Sequence, residues 1–364
     1  MPTAATAQSA DPSVALAFES DGKFTEAANT WRAVVKANPK DAAAWASLGV
    51  DLSRLQQYQD ASEAYRKALS LNPQLTGIQL NLGLAEFKAN NFQDATAPLN
   101  AALLENPKNL QARTLLGLSY YGAGKFGEAV KHLTVASTAD PSNAELHNVL
   151  AQSCLSAKKY DCAMAEYKWI LQRTPDSAAS HMLLGEALDG LGNTPEAIAE
   201  FEAAVKADPH APNVNFGLGY LYWKLRRNDG AAQAFERELA LDPQNAQALA
   251  YLGDIEMKRE NTDRALALLR QALAIREDLR IAQLDLGVLL TEQKQYPEAL
   301  AALQRAEQLD PAQPEVHYRL GRLYQAVGEA GKAQAEFARV KELHQKSEDA
   351  IADKMSNGKP QSNP

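Results

Sequence analysis

NFGLGYLYWKLRRNDGAAQAFERELALDP, residues 215–243, carries two apolar faces where a surface helix needs one. Wound as a helix, its first half sets Leu218, Gly219 and Tyr222 along one side. Phe216, Tyr220 and Trp223 fall along another, because side chains three and four residues apart share a helical face. One stripe is enough to bury a helix against its neighbours, so the second is either buried too or presented to something else. The rest of the stretch holds further landmarks: Ala231 stands twelve residues past Gly219, Phe235 four beyond that, and Pro243 eight beyond Phe235.

Stepping by 34 residues in both directions repeats these landmarks along the whole chain. Gly49, Gly83, Gly117, Ala151, Gly185, Gly219, Gly253, Gly287 and Gly321 share one register with no insertion, and each follows a leucine. Alanine recurs at 27, 61, 95, 129, 163, 197, 231, 265, 299 and 333, and a large apolar residue stands four past each. Proline closes eight of the ten periods, with Glu277 and Gln345 as exceptions. Asp41, Asn109, Asn143, Ser177 and Asn245 stand eight before the glycine position, where a helix needs an N-cap, and the preceding prolines stop the helix before. Each period therefore reads as two helices, A and B, whose small residues let the backbones approach while leucine and aromatic side chains fill the space around them. One such pair cannot bury its own apolar face, so the pairs must stack.

The pattern resembles the tetratricopeptide repeat family, whose W-x2-L-G-x2-Y, A-x3-F and P spacing over 34 residues is matched ten times across residues 8–347. Individual positions drift: the tryptophan position is filled by Trp45 alone, and the tyrosine position by Tyr120, Tyr222 and Tyr324. The resemblance implies an all-α fold, a right-handed α-solenoid superhelix of antiparallel helix pairs. Outside the repeats we expect a disordered tail over residues 1–7, and over 348–364 a capping turn that ends in a disordered tail. The capping function begins within Lys341–Met355, which is polar and compatible with helix.

In the family, helix A positions three before, one after and four after the glycine line a concave groove that holds an extended peptide or a partner's helix. Carried onto this chain, those positions are Leu80, Leu84, Phe87, Leu118 and Tyr121, then Met182, Glu186 and Asp189, then Phe216, Tyr220 and Trp223, with Lys224 and Arg227 at the rim. The resemblance thus implies an apolar patch, an acidic middle and an aromatic patch edged with positive charge. Aromatic residues with arginine are the usual anchors of a binding surface. On this reading Trp223 stands largely exposed; the competing reading has Trp223 and Phe87 leaning onto the next repeat as core. The basic clamp with which some members hold a terminal carboxylate is not matched, because Arg54, Asn81 and Lys88 do not form the required array.

Composition narrows the function further. A net charge of -8 without a basic stripe is the wrong sign for nucleic acid. No apolar run reaches the roughly 18 residues of a membrane span, so membrane insertion is not expected. No Gly-rich phosphate loop, G-x-S-x-G elbow or H-E-x-x-H is present, so no enzyme and no cofactor is expected. Glu186 and Asp189, one turn apart, are an ordinary solvated carboxylate pair rather than an acid–base device. His147, His181 and His317 share a register, but helices about 8–10 Å apart and the lack of a cysteine or further histidine argue for packing rather than metal. Cys154 and Cys162 flank the tight turn within one repeat, a spacing that allows a disulfide and equally allows two small thiols that fill space. The expected function is a non-catalytic scaffold, monomeric, for a protein or peptide partner; the alternative is self-association through apolar stripes or solenoid ends. The small-residue start, ATAQSA at residues 5–10, leaves two expectations of compartment: cytoplasmic if the chain is whole, exported or periplasmic if its start is processed.

Overall fold

The computed structural model describes residues 10–357, with side chains placed to residue 349. Among the described residues there are twenty α-helices and no strand, an all-α helical-repeat solenoid. The chain divides into two compact units. The first holds α1 (Pro12–Ser20), α2 (Phe24–Ala37), α3 (Ala42–Arg54), α4 (Tyr58–Leu71), α5 (Ile78–Lys88), α6 (Phe92–Glu105), α7 (Leu110–Gly122), α8 (Phe126–Ala139), α9 (Ala144–Ser156) and α10 (Tyr160–Leu171). Helix α11 (Ala178–Gly190) is divided at residue 185, its later residues counted with the first unit and its earlier ones with the second. The second unit continues with α12 (Thr194–Ala207), α13 (Val214–Lys224), α14 (Asn228–Leu241), α15 (Ala246–Lys258), α16 (Thr262–Ile275), α17 (Arg280–Glu292), α18 (Tyr296–Leu309), α19 (Pro314–Ala326) and α20 (Ala330–Asn357).

Odd-numbered helices are the A helices and even-numbered ones the B helices, and the reason for the glycine register is steric. A Cβ placed on Gly49 would lie 2.5 Å from the Tyr65 ring, one on Gly83 2.5 Å from Leu99, and one on Gly219 2.8 Å from Phe235. Helix A thus lies directly on the large side chain four past the conserved alanine of helix B, and the ten alanines themselves are all buried. The five expected caps all form. Asp41, Asn109, Asn143 and Asn245 accept from the backbone N–H three residues on at 2.9–3.2 Å, and Ser177 Oγ accepts from Ser180 N at 3.2 Å. Each is worth about 1 kcal/mol. Where the cap position holds Leu75 or Ala211, helix A starts late instead, after a left-handed Gly77 (φ 77°) or Asn213 (φ 63°).

The turn from helix A to helix B has one conformation throughout. Residues 22, 56, 90, 124, 158, 192, 226, 260, 294 and 328 all have φ between 56° and 81°, and only four of them are glycine. At the end of the chain, Lys341–Met355 does not turn: α20 runs without interruption to Asn357, since no glycine or proline falls between residues 332 and 357 to stop it. Residues 1–7 and 358–364, read from sequence as disordered, lie outside the described residues.

Candidate partner-binding site

In the second unit the stripe that opened the question becomes an aromatic cluster on α13 and α15. Phe216, Tyr220 and Trp223 are half-buried around Tyr251, whose ring lies 4.8 Å from Trp223, 5.6 Å from Tyr220, 6.1 Å from Phe216 and 5.7 Å from the buried Phe235. Trp223 is therefore not the largely exposed anchor expected. Its position, four past the glycine, leans onto the next A helix, where Nε1 donates to Asp254 Oδ2 at 2.5 Å. Lys258 completes the contact from one turn further along α15: Nζ donates to the same oxygen at 2.5 Å and lies 5.4 Å from the indole centre. Trp223 remains partly accessible, and with Lys224, Arg226, Asn228 and Lys258 it lines a concavity of roughly 390 Å³. Arg227 does not line it; it precedes α14 as the N-cap residue. Behind this surface Asp285 is buried, with Oδ2 free of any hydrogen bond. Burial, reinforced by the charge of Asp254, pushes its carboxyl up to about 8.

In the first unit Leu80, Leu84, Phe87, Leu118 and Tyr121 are all half-buried. Leu80 and Phe87 pack against the core formed by Ala95, Leu99 and Leu116, and Phe87 meets Phe92 edge to face at 5.6 Å. Tyr121 reaches the next A helix, donating to Gln152 Oε1 at 2.5 Å. Of the α11 residues, Glu186 is exposed, while Met182 and Asp189 are half-buried. Tyr251, Arg226 and Lys258 escaped the sequence reading because they occupy other offsets than the three that the resemblance supplied. An aromatic residue two before a glycine was the available signal for Tyr251.

Family models of the repeat match along most of the chain. The model described as the TPR domain of cytochrome c-type biogenesis protein H matches residues 20–139. Tetratricopeptide-repeat models match residues 120–187, 163–212 and 216–279, and a further TPR-repeat model matches 287–328. The chain belongs to the tetratricopeptide repeat family. No curated protein matches it in sequence. Among solved structures it is similar to MamA, at 21% identity over 46% of this chain and 97% of that one (TM-score 0.39). YrrB, described as a TPR protein with an unusual peptide-binding site, shows 21% identity over 52% of this chain and 97% of that one (TM-score 0.40). Yeast Tom70 shows 14% identity over 95% and 94% of the two chains (TM-score 0.43).

Within this tetratricopeptide repeat protein, several polar groups have structural partners that close individual repeats. The histidine register ties helix A to helix B: His147 Nδ1 pairs with Glu166 at 2.5 Å, His181 Nδ1 with Glu200 at 2.6 Å, and His317 Nδ1 with Glu336 at 2.7 Å. His147 also stacks on Trp169 at 3.7 Å, and the Arg173 guanidinium lies over the Trp169 ring at 3.5 Å. The tetratricopeptide tyrosine position is occupied by buried carboxylates in two repeats. Glu86 takes Arg66 at 2.8 Å and Asn91 at 2.9 Å; Glu256 takes Arg259 at 3.0 Å and Asn261 at 2.7 Å. In a third repeat that position is Cys154, which is disulfide-bonded to Cys162 with Cα atoms 5.8 Å apart.

Proposed function

We propose that this chain is a non-catalytic scaffold that holds a partner protein or an extended peptide along its A helices, anchored at the aromatic and basic concavity of α13–α15. The supporting observation is the concavity itself, which the half-buried Trp223 lines together with Lys224, Arg226 and Lys258. An apolar side chain of the partner lies against the indole, and an acidic neighbour meets the cations. Burial of an aromatic anchor supplies most of the affinity, and the charges orient the partner. Leu80, Leu84, Phe87, Leu118 and Tyr121 form a second, apolar contact surface on the first unit, and Met182, Glu186 and Asp189 a polar one on α11.

Affinity capture tests the reading, with the wild type compared against a Trp223→Ala, Tyr220→Ala variant and a Lys224→Glu variant. The double variant is expected to lose on the order of 2 kcal/mol of partner affinity with its helical signal intact, and the charge reversal to slow association. Equal retention of the same partner by all three would overturn the proposal, as would a loss of folding stability of about 3–5 kcal/mol on truncating Trp223. Sedimentation of the same proteins separates the alternative: a wild-type dimer that dissociates in the double variant makes the partner a second copy of the chain.

A further inference from the structure

The last of the three His–Glu pairs has a second carboxylate within reach of its ring. At His317 a second carboxylate joins: Glu307 Oε1 lies 3.9 Å from Nδ1, alongside Glu336 Oε2 at 2.7 Å. The three donor atoms, one from each residue, all lie within 4.8 Å of one another. Ten residues before His147 and His181 stand Ser137 and Leu171, which offer no carboxylate at that position. The far side of the ring is also fixed, because His317 Nε2 faces the carbonyl oxygen of Pro311 at 3.0 Å. A carbonyl only accepts, so Nε2 carries the proton. In the neutral ring the lone pair then sits on Nδ1 and points at two carboxylates.

That is the arrangement of a ligating histidine, whose second nitrogen is held by a backbone carbonyl while the first turns to the ion. The His317 side chain is buried, Glu336 is largely so, and Glu307 is half-exposed, which leaves a side open to solvent. Two carboxylates neutralise a divalent charge. Ligand distances of about 2.0–2.2 Å would draw the three atoms to within about 3.4 Å of one another, a movement that rotation of Glu307 on the surface of α18 can supply.

We propose that Glu307, His317 and Glu336 form a binding site for a divalent transition-metal ion of the zinc type, bridging α18, α19 and α20, with solvent completing the coordination. The competing occupant of the same space is a proton on Nδ1. Metal binding therefore releases a proton and tightens as pH rises.

Zinc titration of the chelator-treated full chain by calorimetry at pH 6 and pH 8, with histidine-ring nitrogen NMR, tests the site. The expected result is one ion per chain, tighter at pH 8, with the His317 Nδ1 resonance alone shifting strongly. Glu307→Gln, which is near-isosteric at a half-exposed position, is expected to weaken binding by at least about tenfold, and Glu166→Gln at the His147 pair to leave it unchanged. Absence of saturable binding would overturn the proposal, as would an unmoved His317 ring or a Glu307→Gln variant that binds zinc like the wild type. In those cases the three groups hold an imidazolium between two carboxylates. Thermal melting of each variant without metal identifies any that fail to fold, and Glu336→Gln then provides the second reading.

Discussion

The helix pairs α9–α10 and α15–α16 fill the position three past the small residue of helix A in opposite ways. In α9–α10 it is Cys154, fully buried and joined covalently to Cys162. In α15–α16 it is Glu256, equally buried, held by Arg259 at 3.0 Å, Asn261 at 2.7 Å and Arg264 at 3.5 Å. The small residue itself also differs. Gly253 lies on Leu269, where a Cβ would come within 2.8 Å, whereas Ala151 already carries its Cβ in the repeat of Tyr167. The comparison teaches that this position does not require tyrosine. Leucine fills it as plain core at Leu52, Leu188 and Leu290, and where a thiol or a carboxylate is buried there instead, a bond from the start of helix B or an ion network around the A–B turn closes it.

The largest effect is expected from opening the ion network. Arg259→Ala with Arg264→Ala leaves Glu256 buried with Asn261 alone, at a cost of about 3–5 kcal/mol in urea unfolding at neutral pH. The pH dependence should change sign as well. Burial pushes the Glu256 carboxyl up, but Asn261 and the two guanidinium groups outweigh it and hold it below the usual range. In the wild type its contribution is therefore present above the unfolded value and lost as pH falls through the lower folded value. Without the arginines burial dominates, so the variant should gain stability on mild acidification. A variant whose stability follows the wild-type pH profile would show that the network does not hold the charge.

Next in size, Cys154→Ser with Cys162→Ser should destabilise the first unit by about 2–3 kcal/mol relative to the oxidised chain, and by much less relative to the reduced one. Mass spectrometry of non-reduced peptides establishes which form is being measured. Gly253→Ala should cost about 2 kcal/mol by pressing on Leu269. The smallest effect is the reverse change, Ala151→Gly, at under about 1 kcal/mol, since it removes a methyl already accommodated and adds only backbone freedom. A large loss from Ala151→Gly would mean that the Ala151 methyl carries packing which the other repeats obtain elsewhere.

Much of this was legible because the fold repeats. A position that must be small against Tyr65 must also be small against Leu99 and Phe235, and repetition turns a weak local preference into a register. The caps were legible for the same reason, since Asp41, Asn109, Asn143, Ser177 and Asn245 announce themselves chemically. The late starts of α5 and α13 were not, because Leu75 and Ala211 only fail to cap, and the left-handed Gly77 and Asn213 that replace them lie two residues on. The candidate site was half legible. Its aromatic residues could be placed on helix A, but whether Trp223 faces solvent or Asp254 depends on which way a side chain leans between repeats, and spacing does not encode that. Glu307 and Glu336 were invisible as partners of His317 because they come from two other helices.

The left-handed turn residue carries a consequence of its own. Gln56, Lys158, Arg226, Glu260 and Lys294 hold side chains in a conformation that costs an L-residue about 1–2 kcal/mol, at positions where Gly22, Gly124, Gly192 and Gly328 show what relieves it. Successive turns are separated by 34 residues and belong to different repeats, so changes at them should sum. Glycine at each position recovers part of that cost, offset by its greater freedom in the unfolded chain. The sequence therefore holds a series of adjustments at Gln56, Lys158, Glu260 and Lys294 by which the melting temperature can be raised in steps, with Arg226 left alone because it lines the concavity proposed to hold the partner.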